Sequence, residues 1–196
     1  MNITLQELAD LAVKIGTILN QFHIPFFLTG GVVASYYGEQ RSTQDVDMVI
    51  NLLGVGNAEK NALFRELEKQ FMVSRSAFDD AVSRNSMFQV LDLQTMLRAD
   101  VYVGGMGKNR FDRAISSEIV PGVFLPVSSP EDAILSKLVW IKMGSGRSKQ
   151  DVVAMLRIQT DLDTVYLEQT AKELDVFPIL EEMRGIVARN DPLEIY

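Results

Sequence analysis

Two hydrophobic periodicities run through this chain of 196 residues, and they are segregated along it. Between residues 24 and 127, apolar residues come in short alternating or continuous runs bounded by turn formers, which is strand patterning. From residue 130 onward they recur every three or four positions, which is helical patterning. Ser128-Ser129-Pro130 marks the change, because serine followed by proline at a first helical position is a strong helix start. Strands gathered in one half and helices in the other predict an α+β chain with a helical second domain. The boundary is placed between residues 127 and 128.

The elements follow from local pattern. Leu5, Leu8, Leu11, Ala12, Ile15, Ile18, Leu19 and Phe22 fall on one helical face, with Thr4 and Glu7 forming a capping box at its start. Phe26-Phe27-Leu28 reads as a buried strand, and Gly30-Gly31 opens a helix through about Gly38. Residues 44–51, 87–91 and 97–103 read as strands, 58–71 as an amphipathic helix and 111–117 as a short helix. Residues 119–127 read as extended, with prolines interrupting. Four helices are expected beyond, at 130–143, 148–158, 163–174 and 176–189, with Gly144-Ser145-Gly146 as a loop between the first two.

Composition removes several chemistries. There are no cysteines, so disulfides, zinc ribbons and thiol catalysis are out. The single histidine, His23, leaves little room for histidine-based catalysis and is assigned a structural or surface role. A net charge of −7 gives no support for tight nonspecific nucleic-acid binding. No stretch approaches the ~18 apolar residues of a membrane span, and the first sixteen residues show no export signal. A cytoplasmic protein is expected.

The chemistry concentrates in Phe26 to Ile50. Asp45 and Asp47 sit at i and i+2 on a strand, so both carboxylates point to one face while Val46 and Met48 point to the other. Like charges on one face repel unless a cation joins them, and Mg2+, held by one or two carboxylates plus substrate phosphates, is the natural partner. A solvated strand face is the plain alternative. Fourteen residues upstream, Thr29-Gly30-Gly31 connects a strand to a helix. Glycine there admits phosphate oxygens close to the backbone, and the helix start offers free N–H donors. A phosphate cradle beside a metal-binding pair describes a nucleoside triphosphate site. Asp100 lies 53 positions after Asp47 in a strand of apolar and aromatic residues, where an acid is costly unless paired or metal-bound. In a two-metal site it would hold the second ion and help deprotonate an attacking hydroxyl. Pattern alone leaves an exposed strand acid equally open.

The order of a Gly-Gly turn, a helix, an Asp-x-Asp strand and a later strand acid resembles the nucleotidyltransferases of the DNA polymerase β superfamily. Arg41-Ser42-Thr43-Gln44-Asp45-Val46-Asp47 is similar to the R-x-T-x-D-h-D form of prokaryotic toxin-type, abortive-infection-like branches. Ser86 to Leu91 followed by Arg98-Ala99-Asp100-Val101 looks like the strand pair carrying the third acid. The resemblance covers roughly residues 24–160. It implies a catalytic domain over 1–127, built on a small mixed β-sheet with flanking helices, followed by a C-terminal helical bundle over 128–196. It implies transfer of a nucleoside monophosphate from a nucleoside triphosphate to a hydroxyl, with Mg2+ at a two-ion site, or Mn2+, held by Asp45, Asp47 and Asp100. Thr29, Gly30, Gly31, Arg41 and Lys137 become the nucleotide-binding residues, and Asp151 would orient Lys137 or a nearby basic residue. Arg41 could equally pair with one of the aspartates, Lys137 could be an ordinary solvated lysine, and Asp151 could simply favour a helix start. A tRNA end, a protein hydroxyl and a small molecule all fit as acceptor. The toxin of a toxin–antitoxin pair is the preferred biological role, with an antitoxin protein as partner. A catalytically idle nucleotide-binding scaffold and an antibiotic-type nucleotidyltransferase are the rival readings.

Other signals are discounted. Val103 to Asn109 lacks P-loop spacing. Tyr36, Tyr37, Phe88 and Trp140 read as packing residues, and Glu66, Glu68, Glu181 and Glu182 as solvated helix faces.

Overall fold

The computed structural model describes residues 3–104 and 109–189. The chain divides into two compact units, one of Met1–Val32 with Ser42–Ser128, the other of Val33–Arg41 with Ser129–Tyr196. The described residues carry eight helices and one mixed sheet of seven strands. None of the helices is long and apolar enough to cross a membrane.

In the first unit, α1 (Leu5–Gln21) starts at the expected capping box. The Thr4 hydroxyl accepts from the Glu7 N–H, and the Glu7 carboxylate accepts from the Thr4 N–H at 2.8 Å, an arrangement that contributes ~1 kcal/mol. It ends in a Schellman turn. His23 sits left-handed at φ 53°, and the Ile24 N–H reaches back to the Leu19 carbonyl at 3.0 Å. The lone histidine is exposed and acts as a helix terminator.

The strands are β1 (Phe26–Thr29), β2 (Asp45–Ile50), β3 (Phe71–Val73), β4 (Met87–Asp92), β5 (Arg98–Val103), β6 (Ile115–Val120) and β7 (Val123–Val127). Their spatial order is β3-β4-β5-β2-β1-β7-β6. The β2–β5 and β1–β7 pairs are parallel and the others antiparallel. One face is apolar. Phe26, Leu28, Val46, Met48, Ile50, Ala99, Val101, Phe88 and Val90 share it through direct cross-strand register, and all are buried. α1 lies over it, with Gly16 leaving room for the Phe26 ring: a Cβ there would come within 2.6 Å of the ring edge. α3 (Asn57–Leu67) and α4 (Arg75–Arg84) join through a stack of Phe64, Phe78 and Phe88 with ring centroids 5.4 and 5.1 Å apart. Phe88 is therefore core, as expected.

Three local readings need correction. The helix expected at 111–117 does not form: residues 109–113 make turns, and Ile115–Val120 is strand β6. The Pro121-Gly122 turn, with Gly122 at φ 79°, folds β6 against β7, and that pairing overrides the local helical pattern. The helix expected to run to Phe71 stops at Leu67, freeing Phe71 for β3. α4 was missed altogether, because only Phe78 and Ala81 are buried along it and its apolar period is weak. Its ends were nonetheless written in the sequence: Ser74 caps the start, and Asn85 adopts the left-handed conformation at the finish.

In the second unit, the end of α2 (Gly30–Tyr37) packs with α5 (Pro130–Lys142), α6 (Gly146–Ile158), α7 (Thr164–Glu173) and α8 (Phe177–Arg189). α5 begins at Ser129-Pro130 as predicted, with the Ser129 hydroxyl accepting from the Asp132 N–H. Gly38, just past α2, admits α6 at close range: a Cβ there would lie 3.2 Å from the Ala154 methyl. The Tyr37 carbonyl accepts from the Gln159 side chain at 2.7 Å. Trp140, read as core, is instead 42% exposed on α5.

Candidate functional site

The second face of the sheet carries the polar residues. Register places Thr29 of β1, Asp47 of β2, Asp100 of β5 and Gln89 of β4 in one row across four adjacent strands. Directly opposed residues share a face, so the two acids separated by 53 positions in sequence become neighbours. Asp45 lies two residues before Asp47 on the same face, opposite Arg98. The parallel pairing of β2 with β5 does this work; an antiparallel pairing at the same point would run the two strands' polar residues in opposite order.

The turn after β1 is fitted to Asp47. Gly30 has φ 69°, and a Cβ on it would lie 1.8 Å from the Asp47 Oδ2. Both conformation and space therefore require glycine. The Gly31 N–H points to that same oxygen at 3.4 Å, long for a hydrogen bond. Asp47 thus sits at the N-terminal end of α2, where the helix dipole favours negative charge.

Each acid has defined company. The Arg98 guanidinium donates to the Asp45 Oδ2 at 2.5 Å and lies 3.5 Å from the Asp100 Oδ1. Gln89 donates to that Asp100 oxygen at 3.0 Å. Asp45 also accepts from the Thr43 hydroxyl at 3.4 Å. Tyr102 lies two residues beyond Asp100 on the same face. Its phenol is held protonated well above the ordinary tyrosine range, first by burial, then by the charges of Asp47, Asp100 and Asp45. The Arg98 guanidinium is likewise held more firmly charged, chiefly by its bond to Asp45.

The remaining named residues form a second cluster in the helical unit. Arg41 closes a two-pronged fork on Asp151, Nε to Oδ1 at 2.7 Å and Nη2 to Oδ2 at 2.9 Å. Lys137 of α5 reaches the Asp151 Oδ2 at 2.7 Å. Burial alone would raise the Asp151 carboxyl, but the bonds and charges of Arg41 and Lys137 outweigh it and hold it below the usual carboxylate range.

The chain superposes on solved structures across most of its length. An antigenic nucleotidyltransferase-like protein from Paracoccidioides brasiliensis matches with TM-score 0.51 and 17% identity, over 91% of this chain and 90% of that one. The antibiotic-resistance factor ANT(2'')-Ia matches with TM-score 0.51 and 12% identity, over 97% of each chain. The lincosamide antibiotic adenylyltransferase LnuA, lincomycin-bound, matches with TM-score 0.51 and 13% identity, over 81% of this chain and 100% of that one. The fold is that of the nucleotidyltransferases. No family model and no curated protein matches the sequence, so the likeness is one of architecture.

On this nucleotidyltransferase fold the donor set suits a hard cation. Asp45, Asp47 and Asp100 offer carboxylate oxygens from adjacent strands, the donor type Mg2+ and Mn2+ prefer. Among the described residues no group of three or more His, Asp or Glu side chains is placed to hold a metal ion by itself; Arg98 bridges two of the acids.

Three contributors escaped the sequence reading: Arg98, Tyr102 and Gln89. Their signal was present. Arg98, Asp100 and Tyr102 alternate with Ala99, Val101 and Val103, which puts all three on the acid's face. The discounted glycine-rich stretch begins with Gly104 at φ 75° and ends with Asn109 at φ 71°; residues 105–108 lie outside the described residues.

Proposed function

We propose that the chain is a metal-dependent nucleotidyltransferase that moves a nucleoside monophosphate from a nucleoside triphosphate to a hydroxyl acceptor. The observation that carries this reading is the row of Thr29, Asp47 and Asp100 beside Asp45, at the end of the sheet where the Gly30 turn opens a helix. Folding alone gives no reason to place three carboxylates on one face, since like charges at this spacing destabilise a sheet.

Asp45 and Asp47 would hold the cation, with Asp100 for a second ion. Bound Mg2+ or Mn2+ would supply positive charge to the triphosphate oxygens as negative charge develops there. The N–H groups of Gly30 and Gly31 receive phosphate oxygens, the long Gly31–Asp47 contact being readily exchanged. The acceptor oxygen forms its bond to the α-phosphorus while the bond to the bridging oxygen breaks. The hydroxyl proton passes to the Asp100 carboxylate, and pyrophosphate leaves. Lys137 and Arg41, which meet at Asp151, are further proposed phosphate-binding cations.

Incubation with each labelled nucleoside triphosphate and Mg2+, followed by release of pyrophosphate on adding candidate acceptors, tests the reaction. Pyrophosphate release that Asp45→Asn and Asp47→Asn abolish supports it. Equal release by wild type and variants removes it.

For the acceptor, a small molecule is the reading favoured by an observation. Two matched structures, by their names an antibiotic-resistance factor and an antibiotic adenylyltransferase, share the architecture over most of this chain, and the net charge of −7 suits a cationic acceptor. The toxin role makes a different demand: expression of the wild type, and not of Asp45→Asn, should arrest growth, and a protein partner should relieve the arrest.

A further inference from the structure

Arg98 sits where the reaction needs a cation. It stands at the first position of β5, opposite Asp45 in the parallel register and two residues before Asp100. Its planar fork spans acids on two strands, 2.5 Å from the Asp45 Oδ2 and 3.5 Å from the Asp100 Oδ1. The side chain is 47% exposed. It therefore gains little from packing at this position and can swing into solvent on its flexible stem. What holds it is charge: three carboxylates on one face with Arg98 bridging two of them.

We propose that Arg98 is a built-in counter-ion that occupies the carboxylate face before the divalent ion arrives, so that ion loading requires its release. This rests on the metal-dependent reading above. A divalent ion bound to Asp45 would lie at contact distance from the guanidinium, and two cations so close repel strongly in a partly desolvated site. The ion alone must therefore displace Arg98 into water. An ion arriving with a triphosphate gives Arg98 a new partner, because a guanidinium binds phosphate oxygens as readily as carboxylate. Loading of metal and nucleotide becomes coupled, and the ion alone binds weakly. Arg98 is a positioning residue in this scheme and takes no part in bond making.

The test is a titration of free Mn2+ by electron paramagnetic resonance on the full chain, with and without a non-hydrolysable triphosphate analogue. Melting temperature in a chelator is measured beside it. Arg98→Gln should bind Mn2+ alone about tenfold more tightly than wild type, within the usual range of site-to-site coupling. It should gain less from the analogue and melt lower in chelator, where the carboxylates have lost their counter-charge. Arg98→Lys keeps the charge without the two-pronged fork and should fall between the two, which serves if the glutamine variant folds poorly. Mn2+ affinity unchanged or weakened in both Arg98 variants, while Asp45→Asn still abolishes binding, overturns the counter-ion role and leaves the metal site standing. Mn2+ binding that survives Asp45→Asn and Asp47→Asn overturns the metal reading itself.

Discussion

Two charged clusters in this chain are built from the same residue types and differ in exposure. On the sheet, Arg98 bridges two of three acids that share one face, Asp45 and Asp100. In the helical unit, Asp151 takes both an arginine and a lysine. The first is the more open: the side chains of Arg98, Asp45 and Asp100 are 47%, 27% and 14% exposed. The second is the more closed: those of Arg41, Lys137 and Asp151 are 20%, 11% and 5% exposed. A buried carboxylate needs its partners continuously, because an unpaired buried charge is strongly disfavoured. An exposed acid face tolerates partial neutralisation and can exchange its partner. Location in the fold thus separates a buried group of charges, whose loss costs folding, from a more open one that can exchange partners.

The widest separation is expected from removing a single carboxylate in each place. Asp47→Asn should reduce nucleotidyl transfer by ~10³-fold, equivalent to ~4 kcal/mol of lost transition-state stabilisation. Its urea midpoint should stay unchanged or rise, as like charges are relieved. Asp151→Asn should do the reverse at the level of folding. It leaves Arg41 and Lys137 without their anion, and equilibrium denaturation should show a loss of about 3 kcal/mol. If Asp151→Asn left stability intact, the distinction between a buried cluster that folding depends on and an exchangeable one would fail.

Acid sharpens the same contrast. The Asp151 carboxyl is depressed below its ordinary 3.8 in the folded state. Its contribution is therefore fully present above pH 3.8 and is lost as pH falls through the lower folded value. Asp92, buried and bonded to Lys14 at 2.7 Å, shifts in the same direction; burial opposes the shift, and the bonds from Lys14 and Gln94 outweigh it. Stability measured from pH 5 downward should fall more steeply in wild type than in Asp151→Asn.

A finer probe is Tyr102→Phe. It removes a phenol hydroxyl from the acids' face while keeping the ring. Transfer should drop at most about fivefold, equivalent to ~1 kcal/mol for one polar contact, with little change in unfolding. The smallest effect lies outside both clusters. His23→Gly relieves a left-handed residue at φ 53° and should stabilise by ~0.5–1 kcal/mol, with transfer unaffected.

Legibility in the sequence followed the range of the interactions. The Thr4–Glu7 capping box and the Ser129-Pro130 helix start are local, and both were readable. Asp45, Asp47 and the Gly30-Gly31 turn lie within one short segment, and their closeness could be read as well. Placing Asp100 beside them depends on β2–β5 pairing across 53 positions, and there resemblance supplied what periodicity could not. Arg98 was in plain view, but its role depends on which strand lies opposite. The Arg41–Asp151 fork joins residues 110 apart and follows from tertiary packing alone. Strand β6 was misread for the same reason, since its partner β7 decides its conformation.

The most direct test of the central claim is thermal unfolding with each of the four nucleoside triphosphates, with and without Mg2+, on wild type and on the Asp45→Asn/Asp47→Asn double variant. A ligand that binds only the folded state raises the melting temperature by linkage. The account predicts a rise that needs both nucleotide and Mg2+ and vanishes in the variant. An equal rise in the variant, or one indifferent to Mg2+, would contradict it.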